Sequence, residues 1–351
     1  MPKQPPGPLK GRGAVSNPVG RFETRDVEAY DDGWYRDPDD APGRPPTVVM
    51  DERVRSLITY NDSPDVGFDR AINPYRGCEH GCSYCYARPN HAYLNLSPGL
   101  DFETKLFAKV NAAAVLREEL AKPGYACNTI HIGGVTDPYQ PIEKRYRLTR
   151  AVLEVLAETR HPLSIITKNA AVVRDLDLYA AMARDNLCRV YLSITSLDNA
   201  LSAKLEPRAS APHARLRAVE QLAAAGVPTG IMVAPVIPFV TDEFMERILE
   251  RGGAAGARGA GYVLLRLPHE VKQIFREWLD AHYPDRAERV MAVVRDAHGG
   301  RDYTPQWGTR QTGQGAFAEL FAQRFARARR AAGLDTERAP LRTDLFRPPP
   351  R

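Results

Sequence analysis

The chain of 351 residues is 43% hydrophobic and 26% charged, which is typical of a soluble globular protein with one large domain or two smaller ones. It contains no apolar run long enough to span a bilayer and no apolar stretch near its N-terminus that resembles a signal peptide. The net charge of +5 is concentrated in residues 301–351, which contain ten arginines, no lysine and five acids. Such a basic tail suits a polyanion such as nucleic acid, and it is equally compatible with a solvated helix face.

The first 46 residues contain nine prolines and six glycines, and they include the acidic run DDGWYRDPDD at residues 31–40. This composition buries little apolar surface, so we expect an extended or disordered N-terminal arm. Trp34 and Tyr35 are large enough to dock the arm on the folded part of the chain.

From about residue 70, short apolar stretches alternate with amphipathic ones. The apolar stretches are rich in valine and isoleucine, which is typical of strands buried on both faces: AINPYRG, TIHIGGVT, LSIITKN, VYLSIT, TGIMVAPVI and YVLLRL. The predicted helices between them are LFAKVNAAAVLREELAK, YRLTRAVLEVLAETR, AAVVRDLDLYAAMARD, PHARLRAVEQLAAAG and TDEFMERILERGG. Six strand–helix units with long crossovers indicate a parallel α/β barrel or an open doubly wound sheet.

Three more helices are predicted after the sixth strand: HEVKQIFREWLDAHYP, DRAERVMAVVRDA and AFAELFAQRFARARRAAG. We therefore divide the chain into the N-terminal arm at residues 1–46, a core at residues 47–268, and a helical C-terminal extension at residues 269–351 that ends in the basic tail.

Three of the five cysteines lie within eight residues, directly after the first predicted strand, in NPYRGCEHGCSYCYARPNH. Cys78, Cys82 and Cys85 are separated by three and two residues, and Gly77 and Gly81 allow the loop to turn the thiols towards a common centre. In parallel α/β folds the chemistry lies at this end of the strands. An odd number of crowded cysteines favours a metal site in a reducing compartment, the cytoplasm, over disulfides.

The number of thiols separates two kinds of metal centre. A structural zinc and a closed iron–sulfur cluster each take four protein ligands, whereas three cysteines on a four-iron cluster leave one iron open to another ligand. A closed zinc site would recruit His80 or His91 and would make the chain a zinc-stabilised, non-catalytic nucleic-acid-binding protein. Cys127 and Cys188 are interpreted as small buried hydrophobic residues.

The CxxxCxxC spacing, with Tyr84 before the last cysteine and a six-unit α/β pattern around it, resembles the radical S-adenosylmethionine (SAM) superfamily. Over roughly residues 56–335 the chain is similar to the spore photoproduct lyase-like branch of that superfamily. The stretches that carry this similarity are INPYRGCEHGCSYCYAR, GGVTDPYQPIEKRYRLTR, TKNAAVVRDLDL, SITSLD, LEPR and GIMVAPVIPFVTD. The resemblance implies an α/β fold, a partial (β/α)6 barrel of the TIM type with parallel strands.

The resemblance also implies a 4Fe–4S cluster on Cys78, Cys82 and Cys85, whose open iron binds SAM. Reductive cleavage of SAM would yield a 5′-deoxyadenosyl radical that takes a hydrogen atom from the substrate. Such an enzyme needs an electron donor of the flavodoxin or ferredoxin type. Nucleic acid is the leading substrate, on the family likeness and the basic tail, and another polymer or a small molecule stays open.

The resemblance implies SAM contacts for residues at the carboxyl end of the second predicted strand. Gly133 and Gly134 close that strand, where the family often has a Gly-Gly-Glu run. No glutamate follows the glycines here, so Thr136 and Asp137 are the polar groups available to the methionine amino group. Asp137 with Pro138 is also an ordinary turn and helix-start signal.

The next two strands supply further contacts. Lys168 is assigned to the methionine carboxylate, against the alternative of a surface lysine. Ser193 matches the position that bonds the ribose, against the alternative of a satisfied core hydroxyl. Tyr84 would pack near the adenine, and Arg208 would contact the cofactor carboxylate or a substrate phosphate.

One departure from the family concerns the reaction. The spore photoproduct lyases carry a cysteine, which returns a hydrogen atom to the product, at the position of Gly134. Its absence argues against reversal of thymine dimers and leaves the hydrogen donor open. Near the C-terminus, Trp307, Arg310 and Gln311 combine groups suited to stacking on bases and binding phosphate, and the same stretch is equally suited to capping the barrel.

Overall fold

The computed structural model describes residues 7–23, 45–337 and 339–350, so the acidic run with Trp34 and Tyr35 lies outside the described residues. The described strands are β1 (Val48–Glu52), β2 (Ile58–Tyr60), β3 (Arg70–Ile72), β4 (Tyr75–Arg76), β5 (Lys105–Lys109), β6 (Ile130–Ile132), β7 (Leu163–Thr167), β8 (Cys188–Ser193), β9 (Thr229–Val236) and β10 (Gly259–Leu264).

The described α-helices follow the same chain order. They are α1 (Leu100–Thr104), α2 (Ala112–Leu120), α3 (Glu143–Tyr146), α4 (Leu148–Glu158), α5 (Leu176–Ala183), α6 (Asn199–Leu205), α7 (Pro212–Ala224), α8 (Met245–Ala254), α9 (Val271–His282), α10 (Pro284–Ala297) and α11 (Gly315–Ala331). Short 3-10 helices span Arg88–Leu94, Ala170–Asp175 and Asp242–Phe244. None of the helices in the described ranges is both long and apolar enough to cross a membrane.

Seven strands form the main sheet, in the order β10–β9–β8–β7–β6–β3–β2. The six strands predicted from the sequence are parallel neighbours, and β2 is added antiparallel at one edge. Because β10 and β2 do not pair with each other, the sheet curves without closing. The predicted α/β fold, a partial (β/α)6 barrel with parallel strands, is confirmed.

The outer face of this sheet forms the main core. Residues such as Ile132, Ile165 and Val190 point outwards and are fully buried against the helices. The inner face carries polar side chains that line a cavity, among them His131 and Ser164, whose Nδ1 and Oγ are 3.0 Å apart. The strands were expected to be buried on both faces, and the inner face is instead the wall of a cavity.

The predicted helix at LFAKVNAAAVLREELAK was wrong in its first part. Residues Lys105–Lys109 form β5, which pairs with β1 in parallel and with β4 in antiparallel orientation. Leu106 and Ala108 are fully buried and alternate with more exposed neighbours, which is the period of a strand. The helix α2 begins only at Ala112.

The C-terminal residues lie across the amino ends of the barrel strands. The amide N–H of Arg347 donates to Thr159 O (2.8 Å), and Asn186 Nδ2 donates to Pro340 O (2.7 Å). The ring of Phe346 packs against Tyr125 and His161, with centroid distances of 5.5 and 5.2 Å. Residues 340–347 at the end of the basic tail therefore cover the amino ends of the barrel strands, and we call them the C-terminal floor.

His161 makes the stability of this floor depend on pH. Its ring is fully buried, with Nε2 2.9 Å from the Tyr125 hydroxyl and Nδ1 3.0 Å from Pro162 O. Burial lowers the pKa of His161 to about 4. Because the unfolded chain binds a proton near pH 6.5 and the folded chain does not, this contribution is complete above pH 6.5 and is lost as the pH falls towards 4.

We expect His161→Gln to flatten the pH dependence of unfolding. The shift corresponds to about 3 kcal/mol between pH 7 and pH 4. Urea titrations at a series of pH values give the free energy of unfolding of both proteins. The prediction is wrong if the variant loses as much stability on acidification as the wild type.

Candidate active site

The cysteine loop follows β4. At two positions its backbone has a left-handed conformation that only glycine adopts easily. Gly77 and Gly81 have φ values of +73° and +66°. A Cβ at Gly77 would lie 2.7 Å from Leu106 Cδ2, and one at Gly81 would lie 2.7 Å from Glu103 Oε2. These glycines let the loop turn sharply against a packed neighbour while it keeps its three thiols on one side.

Backbone hydrogen bonds hold the loop from several directions. Cys78 N donates to Phe102 O (2.9 Å), and Ser83 N donates to Leu205 O (3.1 Å). The side chain of Gln140 accepts from Glu79 N (2.9 Å) and donates to Gly77 O (3.1 Å). The loop is therefore fixed before any ligand binds.

All three thiols line one cavity of about 1410 Å³. Cys78 and Cys82 are each 7% exposed, and burial raises the pKa of all three thiols, including Cys85. As free groups they are protonated, so a metal centre would displace their protons on binding. Three soft sulfur ligands from one rigid loop suit an iron–sulfur cluster, and the residues present fit such a group.

The two histidines considered as a fourth zinc ligand each lie beside another protein group. His80 Nδ1 lies 3.3 Å from Asp137 Oδ2, and His91 Nε2 lies 2.9 Å from Lys105 O. Within residues 7–23, 45–337 and 339–350, no three Cys, His, Asp or Glu side chains are arranged to hold a single metal ion. Among the described residues, neither histidine therefore completes a four-ligand zinc site with the three thiols.

The N-terminal residues that the structure describes pack behind the cysteine loop. Ala14 and Val15 are 1% and 3% exposed, and the N–H groups of Gly13 and Ala14 donate to the carboxylate of Glu103 at 3.1 and 2.8 Å. A Cβ at Gly13 would lie 1.7 Å from Gly81 O. We call residues 9–18 the N-terminal strap, since they are irregular in structure yet close the back of the loop.

The end of β6 is shaped by glycine and by a buried carboxylate. Gly133 has a φ of +98°, and a Cβ there would lie 2.5 Å from Ile166 O. Asp137 accepts hydrogen bonds from the Thr167 hydroxyl (2.6 Å) and Lys168 N (2.7 Å). Burial opposes its ionisation, but these donors and His80 lower the pKa of Asp137 to about 2. Asp137 thus ties the end of β6 to β7.

Lys168 and Ser193 meet across the cavity at the ends of β7 and β8. Lys168 Nζ donates to Ser193 Oγ (2.8 Å) and lies 3.5 Å from Ala234 O and 5.8 Å from the centre of the Tyr84 ring. The lysine points into the barrel and is not a surface residue. It carries its charge among neutral acceptors, and one of these, Ser193, is itself bonded to Ala234 O.

A buried ion pair lies behind Tyr84. The carboxylate of Glu206 accepts hydrogen bonds from the hydroxyls of Tyr84 and Thr195 and pairs with Arg215, which also donates to Ser193 O at 2.8 Å. Burial opposes ionisation, yet Arg215 and Lys168 lower the pKa of Glu206 to about 2. This network fixes the end of β8 and the orientation of Tyr84.

Most of the predicted site residues come together. Seven of the eight expected SAM contacts line the same cavity as the cysteines: Tyr84, Gly133, Gly134, Thr136, Asp137, Lys168 and Ser193. Arg208 is not part of this lining, and its guanidinium pairs with Glu79 at 3.2 Å. At Gly134 the first atom that a Cβ would meet is His131 Cδ2, at 3.6 Å, so the position is open towards the cavity.

The three residues of the aromatic and cationic stretch near the C-terminus have different environments in the structure. Trp307 is 52% exposed, but the Arg310 guanidinium bonds to the carboxylate of Asp65 and to the Ser63 hydroxyl. Gln311 O accepts from Leu264 N (2.8 Å) at the end of β10. The stretch therefore connects β10 to the loop after β2, across the open side of the barrel.

Sequence reasoning missed Arg215 and Arg266. Arg215 had a visible signal, because it lies four residues before Val219 and seven before Leu222 on the buried stripe of α7. An arginine on an apolar face needs a buried partner, and here it is Glu206. Arg266, two residues after β10, lines the cavity and had no local signal.

Comparison with known proteins identifies the family. The model of the radical SAM superfamily matches residues 72–252, just over half of the chain. The chain belongs to the radical SAM superfamily. It is accordingly an enzyme of a group that uses SAM and an iron–sulfur cluster and requires a reductant.

Relatives of this radical SAM enzyme include proteins with and without assigned functions. It is 38% identical to the uncharacterized protein Rv2578c of Mycobacterium tuberculosis over 284 residues, which cover 80% of this chain and 82% of the relative. It is 26% identical to the radical SAM Nalpha-GlyT isomerase of Pseudomonas phage M6 over 193 residues, which cover 54% of this chain and 38% of the relative.

Solved structures show the same fold. Spore photoproduct lyase complexed with dinucleoside spore photoproduct superimposes with a TM-score of 0.57 at 19% identity, covering 81% of this chain and 79% of that chain. A mutant of spore photoproduct lyase in which a tyrosine is replaced by phenylalanine gives a TM-score of 0.56 at 17% identity, covering 81% of this chain and 80% of that chain.

Proposed function

We propose that this enzyme holds a 4Fe–4S cluster on Cys78, Cys82 and Cys85 and uses it to cleave SAM reductively, in order to abstract a hydrogen atom from a substrate in the cavity. The observation that carries the proposal is that three thiols on one rigid loop, two of them buried and that of Cys85 partly buried, open onto the same cavity as Lys168 and Ser193. Such a cluster would supply one electron to SAM, which would break the sulfonium S–C5′ bond to give methionine and a 5′-deoxyadenosyl radical, the species that would abstract the hydrogen atom.

The chain's own residues would bind and orient SAM. Lys168 would pair with the methionine carboxylate, and Ser193 would bond the ribose. The backbone of Gly133 and Gly134 with the Thr136 hydroxyl would receive the methionine amino group. Asp137 is engaged by protein donors, so its proposed part is to hold Lys168 and the end of β6 in place.

The remaining residues of the site would act on the loop and on water. Tyr84, held by Glu206, would pack near the adenine. Arg208 would orient the cysteine loop through Glu79. The N-terminal strap behind the loop and the C-terminal floor beneath the barrel would exclude water from the radical chemistry.

A nucleic-acid component is the substrate class that we favour. The fold shared with spore photoproduct lyase, whose solved structure contains a dinucleoside spore photoproduct, supports it. Gly134 takes the place of the lyase cysteine, so we propose a lyase-like or isomerising radical reaction other than reversal of thymine dimers. A flavodoxin or ferredoxin of the cytoplasm is the proposed electron donor.

Anaerobic reconstitution of the protein with iron and sulfide tests the proposal. We expect a brown protein with about four irons per chain that forms 5′-deoxyadenosine from SAM and dithionite. Cys82→Ala should lose the iron and the product. Cys127→Ala is the matched control, because Cys127 is partly buried but does not line the cavity.

Two results would contradict the proposal. One is a colourless wild-type protein with a single zinc after the same treatment, which would favour the zinc-stabilised binding protein. The other is a Cys82→Ala variant that forms as much 5′-deoxyadenosine as the Cys127→Ala control.

A further inference from the structure

Three cationic side chains line the cavity at the carboxyl ends of the strands: Lys168, Arg266 and Arg310. Arg310 is neutralised by Asp65, which also accepts a hydrogen bond from Gly308 N at 2.6 Å. Neither Lys168 nor Arg266 forms an ion pair with any carboxylate of residues 7–23, 45–337 and 339–350. This end of the cavity therefore carries two cations without anionic partners.

The carboxylates whose ionisation these cations favour, Asp65 and Glu206, already have other partners. Arg266 acts on Asp65, but the hydrogen bonds of Asp65 come from Arg310 and Gly308. Lys168 acts on Glu206, but Glu206 pairs with Arg215. Within the part of the chain that the structure describes, Asp137 also lines this end of the cavity, but it lies beside His80 and forms no ion pair with either cation, so both cations are available to ligands.

Arg266 is held in position for such a ligand. Its guanidinium lies over the ring of Tyr86, 5.1 Å from the centroid, and the Tyr86 hydroxyl donates to Gly134 O. The Nε atom of Arg266 is shielded from solvent and has no hydrogen-bond partner among the described residues. An orphaned buried donor of this kind is destabilising, and an acceptor on a ligand would satisfy it.

Comparing the cations at this end of the cavity with the anionic groups of SAM indicates a property of the substrate. SAM carries one carboxylate, which under the proposed function pairs with Lys168. One cation remains, and it lies beside Tyr86, which directly follows Cys85 and is 48% exposed. We infer that the substrate carries an anionic group, a phosphate or a carboxylate, that binds the Arg266 guanidinium at the mouth of the cavity; this inference rests on the proposed function.

The stacked geometry of Arg266 restricts which anionic groups fit beside it. A planar guanidinium stacked on an aromatic ring presents its remaining N–H groups in one plane, which matches the two oxygens of a phosphate or a carboxylate. Since the stack is anchored through Tyr86 to Gly134, the anionic group would be held at a fixed distance from the cluster loop. Tyr86 is thus a positioning residue for Arg266.

Binding of matched charged and neutral probes tests this inference. The phosphate arm compares thymidine 5′-monophosphate with thymidine, and the carboxylate arm compares N-acetylglycine with its amide. Binding is measured by calorimetry on reconstituted enzyme with SAM and no reductant. We expect the wild type to bind the anionic member of one arm about ten- to a hundredfold more tightly than its neutral partner.

The variants assign this preference to Arg266. Arg266→Gln should abolish it, and Arg266→Lys should retain part of it, because lysine keeps the charge but not the planar stack. Arg289→Gln is the control, since Arg289 lies over Phe239 and does not line the cavity. The arm that shows the preference identifies phosphate or carboxylate as the group bound.

Three results would overturn the inference: equal binding of charged and neutral probes, no binding of either anionic probe at millimolar concentration, or a preference that survives in Arg266→Gln. Formation of 5′-deoxyadenosine by the same preparations, without substrate, separates the two proposals. If the wild type and the Arg289→Gln control both form it while the charge preference is absent, only the inference about Arg266 fails. If the wild type forms none, the proposed function fails.

Discussion

Replacing Glu103 with alanine is expected to lower the free energy of unfolding by about 3–5 kcal/mol and to release the cysteine loop. Glu103 and Arg88 are both fully buried and form an ion pair directly behind that loop. Arg88 also donates through Nε to Cys82 O at 2.9 Å. The pair thus connects a cysteine of the loop with α1, which directly precedes β5.

The expected loss is large because several groups share one carboxylate. Without it, Arg88 becomes an uncompensated buried charge, and the N–H groups of Gly13 and Ala14 lose their acceptor. The N-terminal strap would then detach from the back of the loop. We expect the variant to lose iron during gel filtration that the wild type retains.

Urea titrations and iron analysis check this prediction. Glu158→Ala is the matched control, because it breaks the exposed Arg117–Glu158 pair, which should contribute little to stability. Glu103→Gln, which keeps an acceptor without the charge, should fall between the two. Equal stability and equal iron content in Glu103→Ala and Glu158→Ala would show that the strap and the ion pair do not hold the loop.

The parts of the fold that could be predicted from the sequence are those whose signal lies within a single segment of the chain. The six parallel strands were visible because their outer faces, such as Ile165 in β7, are continuous runs of core residues. The cysteine loop was visible because its spacing is a property of a single segment. In both cases the residues that carry the signal are adjacent in the chain.

The parts that stayed hidden depend on distant contacts. Nothing in the composition of the N-terminal strap indicates that Gly13 must pass next to Gly81 O, because the contact exists only once the loop has folded. The segment of β5 was predicted to be helical because the segment that forms its partner strand β1 gave no recognisable strand pattern in the sequence. Arg208 looked free for the cofactor until Glu79, on the cysteine loop, was found beside it.

The basic tail shows why composition was a weak guide to function. It contributes the whole net charge of the chain, yet Arg310 bonds to Asp65, Arg324 to Glu246, and Arg342 to Asp344. The charges relevant to a ligand are those without a partner inside a cavity, and only the folded chain shows which they are. Among the described cations at the carboxyl ends of the strands, that criterion selects Lys168 and Arg266.

Replacing Lys168 with methionine is expected to weaken SAM binding by about ten- to a hundredfold while the iron content stays unchanged. Methionine keeps most of the length and the apolar stem of lysine but removes the charge proposed to pair with the SAM carboxylate. Lys168→Arg should recover little, because Ser193 Oγ and Ala234 O lie 2.8 and 3.5 Å from Nζ and leave little room for a guanidinium.

The dependence on SAM concentration distinguishes this role from a structural one. Formation of 5′-deoxyadenosine is measured over a range of SAM concentrations for wild type, Lys168→Met and the exposed control Lys122→Met. If Lys168 binds the cofactor, excess SAM should restore much of the rate to Lys168→Met, whereas it cannot restore a variant that lacks the cluster. A rate that stays low at every SAM concentration, or one that matches the Lys122→Met control throughout, would remove Lys168 from the binding site.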